Sequence, residues 1–169
     1  MVIHLDYGNS KKIMKQINTN INIIGGGLIG IFVAHALAKF GLKITILEKK
    51  PAHQSKKNKH DQRTIAISEG TKKFFEKISI WNEIEPFVQE IKKIMVIDRK
   101  IQNQLEFDNQ RRKSNLGYIV KNSQLIEIIY KKLKDHKNIK IINNSEIISF
   151  ENTAESIITY SNNFKILSD

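Results

Sequence analysis

An α/β fold built on a parallel βαβ core, with an inserted antiparallel β excursion and a C-terminal β-meander, is predicted by three features of this chain. First, Asn20-Ile21-Asn22-Ile23-Ile24 runs straight into Gly25-Gly26-Gly27-Leu28-Ile29-Gly30, an apolar stretch from Ile31 to Phe40 follows, and Lys43-Ile44-Thr45-Ile46-Leu47 returns as a second β-rich segment. Strand, turn, helix and strand in that order form a crossover whose two strands are parallel. Second, three alternating runs separated by polar residues occupy 91–120, a spacing suited to antiparallel strands. Third, the chain closes with three short β-rich runs between Glu146 and Leu167.

Each element follows from local chemistry. The first strand ends at Ile24; the helix is expected from Leu28 to Phe40, with Gly41 as its stop. From Lys49 to Gln62 the chain is polar and basic, with Pro51 and Lys56-Lys57-Asn58-Lys59-His60, which reads as a loop over the edge of a ligand site. Thr64 to Ile67 alternates as a short strand, and helices are expected over 69–77 and 80–87, with Phe74 and Trp81 as core anchors. Ile91 to Asp98, Gln104 to Asp108 and Leu116 to Val120 make the excursion. Asn122 to Lys134 is a helix with Leu125, Ile128, Ile129 and Leu133 on one stripe, and Ile139 to Ile142 suits a strand joining the first two. Residues 20–169 are read as one domain, preceded by a disordered basic extension over 1–19 with Lys11, Lys12 and Lys15 around Ile13 and Ile17.

The glycine turn has the spacing of a dinucleotide site, which makes the core Rossmann-like. Gly25 permits the tight turn, Gly27 lets phosphates approach bare backbone, and Gly30 lets the helix pack closely on its strand, while the helix start offers N–H groups to the anion. Glu48, 18 residues beyond Gly30 at the end of the second strand, can accept hydrogen bonds from a ribose diol. These residues serve FAD and NAD alike, so a nicotinamide-dependent dehydrogenase remains open at this stage.

The formal charge of +11 suggests an anionic partner, yet only Arg63, Arg99, Arg111 and Arg112 among the 28 basic residues carry the guanidinium fork that specific nucleic-acid readers favour. No specific nucleic acid is therefore expected. A basic surface facing anionic lipid is the remaining functional reading, and a non-catalytic or decayed binding module is a third alternative. The absence of cysteine excludes disulfides and thiolate chemistry. His4, His35, His53, His60 and His136 lack metal-ligand spacing, so no metal site is expected. No nucleophile elbow or phosphate-loop lysine motif appears, and no catalytic acid or base is identifiable. Cytoplasmic location is expected.

Asp61-Gln62-Arg63-Thr64-Ile65-Ala66-Ile67-Ser68-Glu69-Gly70, following a fingerprint that ends in Glu48, resembles flavoprotein aromatic hydroxylases of the para-hydroxybenzoate hydroxylase type, and more narrowly the ubiquinone-biosynthesis hydroxylases. Ile80-Trp81, Ile94-Met95-Val96-Ile97-Asp98 and Leu116-Gly117-Tyr118-Ile119-Val120-Lys121-Asn122 agree with that narrower group, and the resemblance covers residues 20 to 167. It implies that the dinucleotide is FAD, with its adenosine ribose on Glu48, its pyrophosphate on Gly25, Gly27 and Gly30, and Arg63 near the flavin and its phosphates. A guanidinium there suits phosphate oxygens. Asn122 matches a position holding a polar side chain beside FAD, though asparagine there can equally be a helix N-cap.

The resemblance further implies monooxygenase chemistry with NAD(P)H or another reductant, a polyprenylated phenol as substrate, and association with the membrane periphery or a ubiquinone-synthesis complex. In that family a second FAD motif, an Asp-Gly pair, follows the meander, where this sequence stops. The expectation is an N-terminal portion, inactive alone: a split or decayed gene product, or one piece of an assembly with a separately encoded C-terminal half.

Overall fold

Isoleucine supplies most of the first core, because a parallel strand covered on both faces needs β-branched side chains on each. In the computed structural model, which describes residues 2–5, 12–50, 62–98, 103–109 and 115–169, this strand is Ile44–Leu47, all four of whose residues are buried. The described residues fall into two compact units: 1–59 with 129–169, and 60–128.

The first unit holds two sheets. Strands β1 (Val2–Leu5), β2 (Lys12–Thr19), β3 (Ile21–Ile24) and β4 (Ile44–Leu47) are followed, beyond the second unit, by β10 (Ile139–Ile142), β11 (Ile147–Asn152), β12 (Ile157–Ser161) and β13 (Phe164–Ser168). The parallel sheet has the order β10-β4-β3, with Ile46 opposite Ile23 on one side and Ile141 on the other. Helix α1 (Leu28–Ala38) provides the crossover and buries Ile31, Phe32, Ala34, His35 and Ala38. Gly41 follows it at φ 74°, the left-handed conformation that glycine supplies as a helix stop. The expected parallel strand over 139–142 and the closing meander are both observed.

The disordered extension expected over 1–19 requires correction. Lys12–Thr19 is an eight-residue strand, paired antiparallel with β1 and parallel with β13 in a five-stranded sheet ordered β1-β2-β13-β12-β11. Met14 and Thr19 are buried, and Ile17 packs against the core cluster of Leu47, Ile142 and Ile166. The lysines of this segment hide an apolar set that finds its partner strand almost 150 residues downstream.

The second unit contains β5 (Thr64–Ile67), α2 (Glu69–Lys77), α3 (Trp81–Ile84) with a 3₁₀ turn over Glu85–Phe87, β6 (Gln89–Ile91), β7 (Lys93–Asp98), β8 (Asn103–Asp108) and β9 (Gly117–Lys121). Helix α4 (Asn122–Leu133) spans the division between the units, with Leu125, Ile128, Ile129 and Leu133 all buried as their stripe predicts. The sheet order is β5-β9-β6, with β7 and β8 as a separate hairpin. The single strand expected over 91–98 is thus two, parted at Lys92.

Ser68 starts α2 by accepting the Thr71 N–H at 3.1 Å. Trp81 anchors this core as expected: it is 3% exposed, stacks edge-on to Tyr118 and donates its indole N–H to Glu85 at 3.1 Å. Phe74, expected beside it, is exposed; Phe75, one position on, is the buried ring. The helix phase set by the Ser68 cap turns the second phenylalanine inward. Among the described residues no helix is long and apolar enough to cross a membrane.

Candidate functional site

The turn between β3 and α1 is shaped by what each glycine lacks. Gly25 adopts φ 101°, strained for any side chain, and its N–H donates to the Leu47 carbonyl at 2.8 Å. A Cβ on Gly30 would stand 2.1 Å from the Gly25 carbonyl oxygen, so α1 lies directly on the turn only because position 30 has none. At Gly27 a Cβ would meet nothing within 4 Å. These are the three conditions a dinucleotide fingerprint demands: a tight turn, close helix packing and open space at the middle glycine.

Gly27 is also the N-cap of α1, and it caps nothing with a side chain; no acidic residue stands in the first helical turn. The contrast with α2, which has both Ser68 and Glu69 at its start, is informative. No side chain of α1 itself caps its positive end, which leaves the N–H groups of its first turn available to an anion.

Glu48 leaves the end of β4 and turns back to this turn. Its Oε2 accepts the Gly26 N–H at 2.6 Å and its Oε1 the Lys50 N–H at 2.9 Å. Two accepted bonds leave lone pairs on both oxygens for further donors such as ribose hydroxyls. The backbone of Glu48 is fixed as well, its N–H on the Ile142 carbonyl and its carbonyl on the Ser145 N–H, both at 2.9 Å.

Beside it lies a cleft of about 300 Å³ lined by Ile24, Gly25, Leu47, Glu48, Lys49, Ser145, Glu146 and Ile147. It sits past the carboxyl ends of the parallel strands β3 and β4, where open α/β sheets bind ligands. Lys49 and Glu146 form an exposed ion pair at its rim, at 2.5 Å. Ser145 is buried, and its hydroxyl has no partner among the described residues. The preceding Asn144 takes φ 55°, which turns the chain from β10 toward this cleft.

Tyr130, which the sequence reading passed over, donates its hydroxyl to the Gly26 carbonyl at 2.8 Å. Burial, and secondarily the Glu48 carboxylate, push its pKa up to about 12. No spacing rule marks it; it falls among the polar positions of an amphipathic helix.

The structure gathers Gly25, Gly27, Gly30 and Glu48 within the first unit. Arg63 and Asn122 meet within the second, where the Asn122 N–H donates to the Arg63 carbonyl at 3.0 Å as β9 gives way to α4. Of the expected loop over 49–62, residues 51–61 lie outside the described residues, as do Asp61 of the hydroxylase-like segment and the side chains of His4, His53 and His60. His35 is buried and shares a hydrogen bond with His136 at 3.1 Å.

Residues 20–62 match the family model described as FAD dependent oxidoreductase. Over 152 residues the chain is 24% identical to the ubiquinone hydroxylase UbiM of Neisseria meningitidis, covering 85% of this chain and 33% of that one. It is 26% identical over 147 residues to the mitochondrial ubiquinone biosynthesis monooxygenase COQ6 of Drosophila melanogaster, covering 83% and 31%. In sequence the chain is thus similar to hydroxylases and monooxygenases of ubiquinone biosynthesis. Among solved structures, p-nitrophenol 4-monooxygenase PnpA of Pseudomonas putida shares the fold, with a TM-score of 0.74 at 13% identity over 92% of this chain and 40% of that one. The chain spans about a third of the length of these curated relatives.

Proposed function

We propose that the first unit holds the adenosine diphosphate half of FAD, and that the chain serves as the FAD-binding portion of an aromatic-ring hydroxylase of ubiquinone synthesis. The observation that carries this reading is the convergence of an uncapped glycine-lined helix start with the Glu48 carboxylate, which lies 2.6 Å from the Gly26 N–H. The donor set fits the cofactor. Backbone N–H groups at the start of α1 are proposed to take the pyrophosphate, with Gly27 leaving room for it and Gly25 and Gly30 setting the shape of the cradle. Glu48 is proposed to accept the ribose hydroxyls through its remaining lone pairs.

Arg63 and Asn122 are proposed as further cofactor contacts on the resemblance of their segments alone; a guanidinium suits phosphate oxygens and an amide suits polar edges. When bound, the flavin supplies the redox and oxygen-transfer chemistry, and the protein's part is to bind, orient and exclude water. The relatives that carry hydroxylase and monooxygenase names are about three times as long as this chain. Hydroxylation of a polyprenylated phenol, with NAD(P)H or another reductant, is therefore proposed for this portion acting with the remainder of such an architecture, on the same polypeptide or a separate one. Residence in the cytoplasm, with the lysine-rich surface resting on anionic lipid at the membrane face, belongs to the same proposal.

Equilibrium titration of the purified protein with FAD and with NADH tests the reading. Saturable binding of FAD in preference to NADH is expected, followed by quenching of flavin fluorescence. Failure to take up FAD would overturn the proposal, and preferential NADH binding would move the site to dehydrogenase chemistry.

A further inference from the structure

Three consecutive glycines make a cradle with the right space and the wrong stiffness. Each can reach either half of φ/ψ space, so the peptides joining them can flip at little cost, and a site that must order them on binding loses affinity to that ordering. Something has to hold the turn before a ligand arrives. Glu48 does so from one side, by accepting the Gly26 N–H at 2.6 Å. The other side of Gly26 is held by a residue 104 positions away in sequence, whose hydroxyl donates to the Gly26 carbonyl at 2.8 Å.

We infer, resting on the dinucleotide reading above, that Tyr130 is a positioning residue of this site: by pinning the Gly26 carbonyl it fixes the Gly26–Gly27 peptide plane and thereby the direction of the Gly27 N–H. Among the described residues every peptide bond is trans, and in a trans peptide the C=O and the following N–H point to opposite sides. With the carbonyl oxygen fixed on Tyr130, the Gly27 N–H is turned away from Tyr130. Gly27 is exposed, and the space next to its Cα is empty. A pyrophosphate oxygen reaching that side meets a donor already in place.

The same contact explains Gly26, which none of the three fingerprint positions requires. A Cβ there would stand 2.7 Å from the Tyr130 hydroxyl oxygen and 3.2 Å from Glu48 Oε2. Glycine at 26 and tyrosine at 130 are two halves of one fit. The tyrosine must also remain a donor, since a phenolate would repel the carbonyl it holds. Burial and the neighbouring Glu48 charge keep it protonated far above neutral pH, with a pKa of about 12.

Tyr130→Phe removes the hydroxyl and leaves the ring, so the helix keeps its packing. Binding of ADP and of adenosine to wild type and variant by isothermal titration calorimetry separates positioning from general structure, because only ADP carries the pyrophosphate. Amide hydrogen exchange without ligand gives a second readout. The expected result is an ADP affinity reduced about threefold to tenfold, the range of one neutral hydrogen bond, with adenosine affinity within about twofold. Exchange should quicken across 25–28 and stay unchanged in β3 and β4. Equal ADP affinity in the two proteins overturns the inference. So does a parallel loss for ADP and adenosine, or faster exchange throughout the unit, since either would make Tyr130 a packing residue only. If the wild-type protein binds neither ADP nor FAD, the dinucleotide reading itself fails and the role of Tyr130 fails with it.

Discussion

At the scale of single residues, the glycines of the turn divide into those the fold needs and those a ligand needs. Gly30→Ala places a methyl 2.1 Å from a backbone oxygen that cannot step aside without moving the turn. It should cost about 1 to 3 kcal/mol in urea unfolding, as overpacking does. Gly27→Val enters open space at φ −70° and ψ 179°, where any residue is comfortable. Its stability should stay within about 0.5 kcal/mol of wild type, while FAD titration should show binding abolished because the side chain fills the phosphate's place. An FAD affinity of Gly27→Val unchanged from wild type would mean that the turn has only a structural role. Glu48→Ala should weaken FAD binding by about 1.5 to 3 kcal/mol, the range for hydrogen bonds to a charged group; an unaltered dissociation constant would remove Glu48 from the site. Tyr130 adds a pH dependence. Its pKa is raised from the ordinary value near 10 to about 12 in the folded protein, so the fold favours the protonated phenol. The stabilisation is fully present below pH ~10 and is lost as pH rises from there to ~12. The measurement is the difference between wild type and Tyr130→Phe, which cancels what the two proteins share: their unfolding free energies should converge between pH 10 and 12.

At the scale of elements, what the sequence disclosed and what it hid differ by the range of the interactions involved. The parallel core, α1, α4 and the closing meander were legible because each has its own local pattern: the β-rich run Ile44-Thr45-Ile46-Leu47 for β4, the Leu125 to Leu133 stripe for α4, alternation for the hairpins. Phe74 and Phe75 could not be told apart by composition, since the helix phase depends on where the Ser68 cap begins it. That cap is testable: Ser68→Ala should cost about 1 kcal/mol of stability in denaturant unfolding, and an unchanged midpoint would show that the Thr71 N–H finds water equally well. The candidate site was legible in its glycines and in Glu48, whose spacing is local. Tyr130 was not, because nothing on an amphipathic helix announces that one hydroxyl reaches a carbonyl 104 residues earlier. The strand over 12–19 escaped for the same reason, its partner β13 lying at the far end of the chain.

At the scale of the molecule, that missed strand joins the first residues of the chain to its last strand and to the core beneath. β2 pairs with β13 from Lys15 opposite Phe164 to Thr19 opposite Ser168, and its Ile17 packs on Leu47, Ile142 and Ile166. Leu47 is the residue before Glu48, and its carbonyl holds the Gly25 N–H at 2.8 Å. The support for the turn is therefore continuous: β2 covers the cluster, the cluster seats the end of β4, and the end of β4 presents both the glycine turn and the acidic side chain. Deleting residues 1–19 gives two readings opposite outcomes. A disordered extension would leave with no change in unfolding midpoint. A strand would uncover Leu47, Ile142 and Ile166 and open one edge of β13, which should lower the denaturant midpoint, raise the tendency to associate through the bared edge, and weaken FAD binding in proportion to the stability lost. Urea unfolding, sedimentation and FAD titration of the shortened protein make the comparison, and a midpoint and affinity equal to those of the full chain would show that β2 is dispensable to both the core and the site.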